Sequence, residues 1–207
     1  MKSSIYLFPL NLVVFPDSRY PLHIFEERYK KMIASCIEEK KGFGIVAVVG
    51  DELSTIGSYV VISSVLKKYD SGEYDIIVTG RGRFITKKVE LHKDGYHIAE
   101  VEYFNDEPIS YNPLLLEEMQ SQFEILIGKF NFTLEESFWD NYYAAEIKSF
   151  KMAEKAGLSL IQQQALLSIK DENKRLTYLI EHFKYMAKKL SKDESNKTLV
   201  LNDGYIN

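Results

Sequence analysis

All five prolines of this chain, and eight of its eleven glycines, fall at or before residue 113. Proline lacks the N–H a helix interior needs, and glycine loses the most backbone freedom on ordering, so both punctuate turns and strands. The first half of the chain therefore reads as turn-rich and strand-rich, and the second half is free to be helical. Short apolar runs lie between the breakers: 5–8, 12–15, 43–49, 59–66, 74–79, 84–91 and 96–104. Several are rich in Val, Ile, Tyr and Phe, which suit a pleated, half-buried surface. Ser71-Gly72 and Asp94-Gly95 mark hairpin turns. Gly80-Arg81-Gly82-Arg83 lies between two of the predicted strands and reads as a tight turn.

One helix interrupts this region. Phe25, Tyr29, Met32, Ile33, Cys36 and Ile37 recur on a single helical face that ends before Gly42. From Asn112 the helical period takes over. Asn112 can cap, and Pro113 fits the first turn, where its missing N–H costs nothing. Leu115, Met119, Phe123, Leu126, Ile127 and Phe130 form the stripe. Thr133 to Glu136 has capping-box spacing and opens a second helix running toward Gly157. Ser159 with Gln162 repeats the box for a short third helix. Asp171 caps the last, whose core face is Leu176, Leu179, Ile180, Phe183, Ala187 and Leu190. The expected fold class is α+β: a mostly antiparallel β domain over residues 1–110 with one inserted helix, then an antiparallel helical bundle over 111–190. The tail 191–207 is polar until Thr198–Leu201, which reads as a strand able to return to a sheet edge.

Charge and cysteine usage narrow the function classes. Lys and Arg number 26 against 30 Asp and Glu, a net charge of −4. The balance is −2 on each side of residue 110, so neither half carries the positive excess that nucleic-acid binding by electrostatics needs. A single cysteine, Cys36, forbids an internal disulfide framework and fits a reducing compartment. Lys2 followed by Ile5 to Phe15 superficially resembles a secretory leader, but Pro9, Asn11, Pro16 and Asp17 interrupt it. The longest other apolar run is far short of the roughly 20 residues that span a bilayer. The expected location is cytoplasmic, with no membrane partner.

Motifs that carry chemistry are missing. No phosphate-binding G-x-x-x-x-G-K-[ST] and no H-E-x-x-H is present, and one cysteine cannot build a structural zinc site. His23, His92, His97 and His182 are scattered, with His92 and His97 flanking one hairpin. Cys36 sits on the apolar helix face and reads as a buried inert thiol. No serine lies in a G-x-S-x-G elbow. Trp139, Tyr142 and Tyr143 at helical spacing read as core rather than as a binding platform. No catalytic residue, metal ligand or cofactor is expected, and the chain reads as a non-enzyme.

The unusual stretch is Phe8-Pro9-Leu10, then Val13-Val14-Phe15-Pro16, then Pro21-Leu22-His23-Ile24-Phe25-Glu26 with Arg28, Tyr29 and Met32. Physically it is a strand, a proline-fixed corner, an extended entry and a helix start, with Glu26 and Glu27 where the helix dipole favours negative charge. Pro21 rules out a central strand there. This stretch closely resembles the signature of the Lon protease N-terminal, or LON substrate-binding, domain family. Ile56-Gly57, Val78-Thr79-Gly80 and Arg83-Phe84 fit its later strands, and Gln164-Ala165-Leu166-Leu167 with Arg175-Leu176 fit its helical end. One departure is Asp17, which takes the place of the family's glycine after Pro16.

The resemblance implies a PUA-like pseudo-barrel followed by a helical bundle, as a free-standing copy without the ATPase and peptidase modules of the full protease. It implies a module that engages unfolded or apolar polypeptide segments, through an exposed strand edge or a groove between barrel and bundle. It also implies a role as adaptor in protein quality control, with an ATP-dependent protease as a further partner. The alternatives are an RNA-binding PUA-like protein and a small-molecule enzyme without a recognisable motif. The motif residues Pro9, Pro16, Pro21, His23, Phe25, Glu26, Arg28, Tyr29, Arg83 and Phe84 are expected to define the fold. Glu26 and Arg83 are expected to meet as an ion pair, with His23 nearby.

Overall fold

The computed structural model describes residues 2–107, 110–130 and 133–192; the expectation for the tail lies, from residue 193 on, outside them. The described residues group into two compact units. One takes those of Met1–Asn105 with Leu160–Leu167, the other those of Asp106–Ser159 and Ser168–Asp203.

The first unit is a β barrel built on one long strand. Its elements are β1 (Lys2–Leu10), β2 (Arg19–Ile24), α1 (Glu27–Glu38), β3 (Phe43–Val49), β4 (Glu52–Lys68), β5 (Tyr74–Leu91) and β6 (His97–Phe104). The sheet order is β2-β5-β4-β3-β1-β6, and β5 also pairs with β6, which closes the sheet. Every pairing is antiparallel except β1 with β3. A parallel pair needs a long crossover, and the chain from Asn11 to Gly42, carrying β2 and α1, supplies it.

β5 replaces two predicted strands. Its first part, Tyr74–Thr79, pairs with β2, and its second, Arg83–Leu91, pairs with β6. Gly80-Arg81-Gly82-Arg83 is thus not a turn; it is the bend at which one strand changes partners, opposite a register shift at Tyr59/Val60 of β4. Gly80 is needed for close approach of backbone, the other meaning of a glycine in a strand. Its N–H donates to the Ser18 carbonyl and its carbonyl accepts from the Asp17 N–H, both at 3.0 Å. A Cβ there would lie 2.2 Å from the Phe15 oxygen. Asp17 itself adopts φ +61, the left-handed conformation that glycine favours and that aspartate tolerates better than most residues.

Two further expectations give way here. Leu12–Phe15 belongs to no ladder; it is a buried connection, with each of the four side chains at most 7% exposed. Its apolar character reflects burial, not strand pairing. Phe25 precedes α1 and is 62% exposed, so the buried helix face is Tyr29, Met32, Ile33 and Cys36, packed with Phe43, Val60, Ile76 and Val78. Full burial of Met32 and Ile33 stabilises the fold by about 1.5–3 kcal/mol each. α1 ends in a Schellman pattern: Lys41 N–H donates to Cys36 O (3.0 Å) and Lys40 N–H to Ile37 O (3.3 Å). Lys40 holds the left-handed position, φ +52, usually given to glycine. The barrel interior is a second cluster centred on Phe84, with Ile5, Leu7, Val46, Ala99 and Val101. Phe84 fits because two neighbours lack side chains: a Cβ on Gly44 would come within 2.7 Å of its ring, and one on Gly57 within 2.5 Å.

The second unit is helical. Its elements include α2 (Pro113–Lys129), α3 (Glu136–Ala144), α4 (Lys148–Ala153) and α6 (Glu172–Lys192); α5 (Leu160–Ser168) falls almost wholly within the first unit. The Asn112 side chain accepts from Leu114 N–H (3.0 Å) and Asp171 from Lys174 N–H (2.8 Å), the two caps read from sequence. The single helix expected from Thr133 toward Gly157 is two. Ala145 turns extended (ψ 137), and the Lys148 ammonium donates to the carbonyls of Tyr142 (3.0 Å) and Tyr143 (2.6 Å), satisfying the open end of α3. The N-cap of α3 is Glu135, and its side chain makes no cap hydrogen bond. α2 packs on α6 through Phe123 and Phe183, ring centroids 5.2 Å apart. Tyr142 is core, at 1% exposure, whereas Tyr143 is exposed.

A buried polar network ties the helical unit together. The Arg175 side chain is fully enclosed and donates from Nε to Ser149 Oγ and Glu172 Oε2, both at 2.9 Å, and from Nη1 to Asp106 and the Ile169 carbonyl. Its guanidinium also lies 4.4 Å from the centre of the Phe150 ring. Glu172 accepts in addition from the backbone (3.0 Å) and hydroxyl (2.6 Å) of Ser149. Removing Arg175 would leave the buried Glu172 carboxylate without a cation. His182 is also buried, with Nε2 2.8 Å from the Ala156 carbonyl; burial lowers its pKa below the ordinary 6.5.

Two predictions follow from these cores. Gly57→Ala should destabilise the protein by about 1–3 kcal/mol, since the Phe84 ring must move from a filled barrel; chemical denaturation measures it, and an unchanged midpoint would refute the packing account. Burial makes the folded His182 harder to protonate than the same residue in the unfolded chain, so the unfolded chain takes up its proton first as pH falls. Its contribution is intact above pH 6.5 and is lost as pH falls from there toward the lowered folded value. His182→Gln, which keeps an N–H donor and cannot titrate, should flatten the fall of the urea midpoint between about pH 7 and 5.

Candidate functional site

The signature stretch forms one wall of a groove of about 550 Å³ on the first unit. β1 contributes Phe8, Pro9 and Leu10, and the passage from β2 into α1 contributes His23, Phe25, Glu26, Arg28 and Tyr29. Leu53 of β4 and His97 of β6 complete it. The chain folds this way locally for clear reasons. Pro9 sits in β1 opposite Val46, and Pro21 lies on β2, an edge strand that pairs with β5 alone. Ile24, 1% exposed, is the last β2 residue and anchors the strand in the core. Phe25 and Glu26 then precede α1, with Glu26 extended at φ −71, ψ 134. The Phe25 ring lies outward, exposed.

The groove is apolar but carries its own neutralised ion pair. Arg28 donates from Nε to Glu26 Oε2 at 3.0 Å, and its Nη2 lies 2.8 Å from the same oxygen. The Arg28 guanidinium also lies over the Tyr29 ring, 4.6 Å from its centre. Burial raises the Tyr29 pKa, opposed by Arg28 and assisted by Glu26. The expected Glu26–Arg83 pair therefore does not form: the nearer Arg28, two residues along, takes the carboxylate. Phe25 is supported from behind by His23, the two rings stacked at 6.0 Å. His23 is oriented in turn by Asp75, whose carboxylate lies 2.7 Å from Nδ1 and accepts from the Tyr69 hydroxyl at 2.7 Å. Those two hydrogen bonds hold the Asp75 carboxyl below the usual aspartate range.

Sequence reasoning singled out the wall but not its completion. Leu53, an exposed apolar residue near a strand end, carries no motif, and neither does His97. His97 Nδ1 is enclosed and has no hydrogen-bond partner among the described residues. The remaining motif residues lie elsewhere. Pro16 begins the left-handed turn at Asp17, and Phe84 fills the barrel. Arg83 is 2% exposed; it donates to the Leu167 carbonyl (2.5 Å) at the end of α5 and covers the Phe104 ring at 4.5 Å. Gln164 of α5 donates to the Ile56 carbonyl at 2.8 Å. Three motif fragments distant in sequence, Ile56-Gly57, Arg83-Phe84 and Gln164 to Leu167, thus meet to fasten α5 to the barrel.

Chemically, the groove offers apolar surface, a stacking ring and a self-compensated ion pair. Cys36 lies outside it, and burial pushes its thiol pKa up to about 12. Among the described residues no three or more His, Cys, Asp or Glu are grouped to hold a metal ion, and no helix is long and apolar enough to cross a membrane.

Solved structures share this fold. A Lon N-terminal domain protein from Xanthomonas campestris superposes with a TM-score of 0.68 at 23% identity, covering 86% of this chain and 98% of that one. The N-terminal domain of a Mycobacterium avium complex Lon protease gives 0.66 at 15% identity, covering 88% and 98%. No curated protein matches by sequence. The sequence pattern of the ATP-dependent protease La (LON) substrate-binding domain matches residues 4–184, nearly the whole described chain, and the chain belongs to that family.

Proposed function

We propose that this protein is a non-enzymatic module of the cytoplasm that binds polypeptide segments in the groove between β1 and the start of α1, and that it serves as an adaptor in proteolysis. The observation that carries the reading is the exposed Phe25 ring, backed by His23 and set in a groove where the Glu26 carboxylate and the Arg28 guanidinium neutralise each other. An apolar ring held out on an extended segment is poor use of a core residue and good use of a contact residue. The family's name as a substrate-binding domain supports the same reading. A groove of this size gives a small interface, well below about 1,200 Å², and such interfaces are weak and transient. Because the pair is already compensated, burial rather than charge supplies the affinity.

Fluorescent peptides, apolar and polar at matched length, should be titrated at low and high salt. Apolar peptides should bind in the micromolar range with little salt dependence, and Phe25→Ala combined with Leu53→Ser should weaken them at least about fivefold without changing the denaturation midpoint appreciably. Equal binding of both peptide sets would overturn the proposal. A steep salt dependence with RNA binding in its place would favour the nucleic-acid alternative.

A further inference from the structure

A second surface lies on the same unit, away from the groove. β3 pairs with β4 only as far as Val60, whereas β4 continues to Lys68 with β5 on one side. The opposite edge of Val61–Lys68 faces no strand among the described residues. That edge borders a cavity of about 330 Å³ beside the end of α1, and Val61, Ile62, Ser63, Ser64 and Val65 line it in unbroken succession. β4 is irregular along this stretch, its register against β5 shifting between Ile62 and Ser64 and between Val65 and Lys67, and the cavity runs along the edge that β3 leaves uncovered beyond Val60. Beyond the ladder to β5, the backbone of this stretch has no hydrogen bond to another described segment. The Ser63 hydroxyl is turned inward to the Ile77 carbonyl, at 3.0 Å.

Lysines stand at both ends of the edge. Lys40 and Lys41 follow α1, and Lys67 and Lys68 end β4; all four are exposed. Lys41 is paired with Glu39, while Lys67 and Lys68 lie over the rings of Tyr69 and Tyr74, at 4.1 and 5.5 Å. Lys40 occupies a left-handed position, where glycine would be less strained. A second copy of the chain is disfavoured as occupant: antiparallel pairing of two such edges sets lysines against lysines. We infer that the free edge of β4 takes an extended, acidic polypeptide segment, which adds a strand beside Val61–Val65 and places carboxylates at the lysine-bearing ends. This site is separate from the Phe25 groove and does not depend on it.

The test uses the full chain and three labelled probes. One is a peptide of alternating valine and threonine with two glutamates at each end. The second carries lysines in place of the glutamates, and the third is the acidic peptide N-methylated at alternate backbone positions. The acidic peptide should bind at least about tenfold tighter than the lysine peptide at low salt and lose affinity as salt rises, and N-methylation should abolish binding. Lys40→Gly with Lys41→Gln should weaken binding on the order of tenfold while the melting temperature is unchanged or raised, because glycine relieves the left-handed strain. Phe25→Ala should leave this affinity unchanged, which separates the result from any failure of the groove. Equal binding of acidic and lysine peptides, retention by the N-methylated probe, or occupation of the edge by self-association in sedimentation would each overturn the inference.

Discussion

One strand pays for the whole first unit. β5 must pair with β2, β4 and β6, and no straight strand can face β2 and β6 in turn along a single edge. The bend at Gly80 to Arg83 resolves that conflict, and the rest follows from it. At the bend, Gly80 lets the Phe15–Ser18 backbone pass close enough to exchange two hydrogen bonds, which fixes the corner before β2. Just past the bend, Arg83 turns to the end of α5 and Phe84 turns into the barrel over Gly44 and Gly57. Corner, helix attachment and barrel filling are thus set by four consecutive residues of one strand and the one after them.

This also explains what the sequence could and could not convey. Runs such as Phe43–Val49, and the turns at Ser71-Gly72 and Asp94-Gly95, were legible because local chemistry and tertiary role agree there. Gly80-Arg81-Gly82-Arg83 was not, because a glycine that permits close approach of another segment looks the same in one dimension as a glycine that permits a turn. Leu12–Phe15 misled in the opposite sense: burial on all sides selects the same residues that a strand does. Thr133 to Glu136 had the right spacing for a cap, but the helix starts two residues later than the box requires.

The candidate groove was half legible. Its signature residues stood out, and the expectation was that they define the fold. Pro16 lies at the corner before β2, Arg83 at the end of α5 and Phe84 in the barrel interior. Phe25, placed by periodicity on the buried helix face, lies outside the helix because Ile24 is the residue that enters the core and α1 begins only at Glu27. Position relative to the helix start, which periodicity alone does not fix, decides whether an aromatic ring is core or contact. The ion pair shows the same limit of sequence reasoning: motif membership suggested Glu26 with Arg83, but the carboxylate found a guanidinium two residues away.

The groove reading is tested most directly by locating a bound chain. An apolar peptide carrying a photo-reactive phenylalanine analogue should be crosslinked to the full-length protein and the adducts mapped by mass spectrometry. Adducts should concentrate on the segments holding Phe8–Leu10, Phe25–Tyr29 and Leu53, and should fall sharply when Phe25 is replaced by alanine. Adducts spread evenly over the surface, or confined to α2, α3 and α6 and indifferent to that replacement, would contradict it.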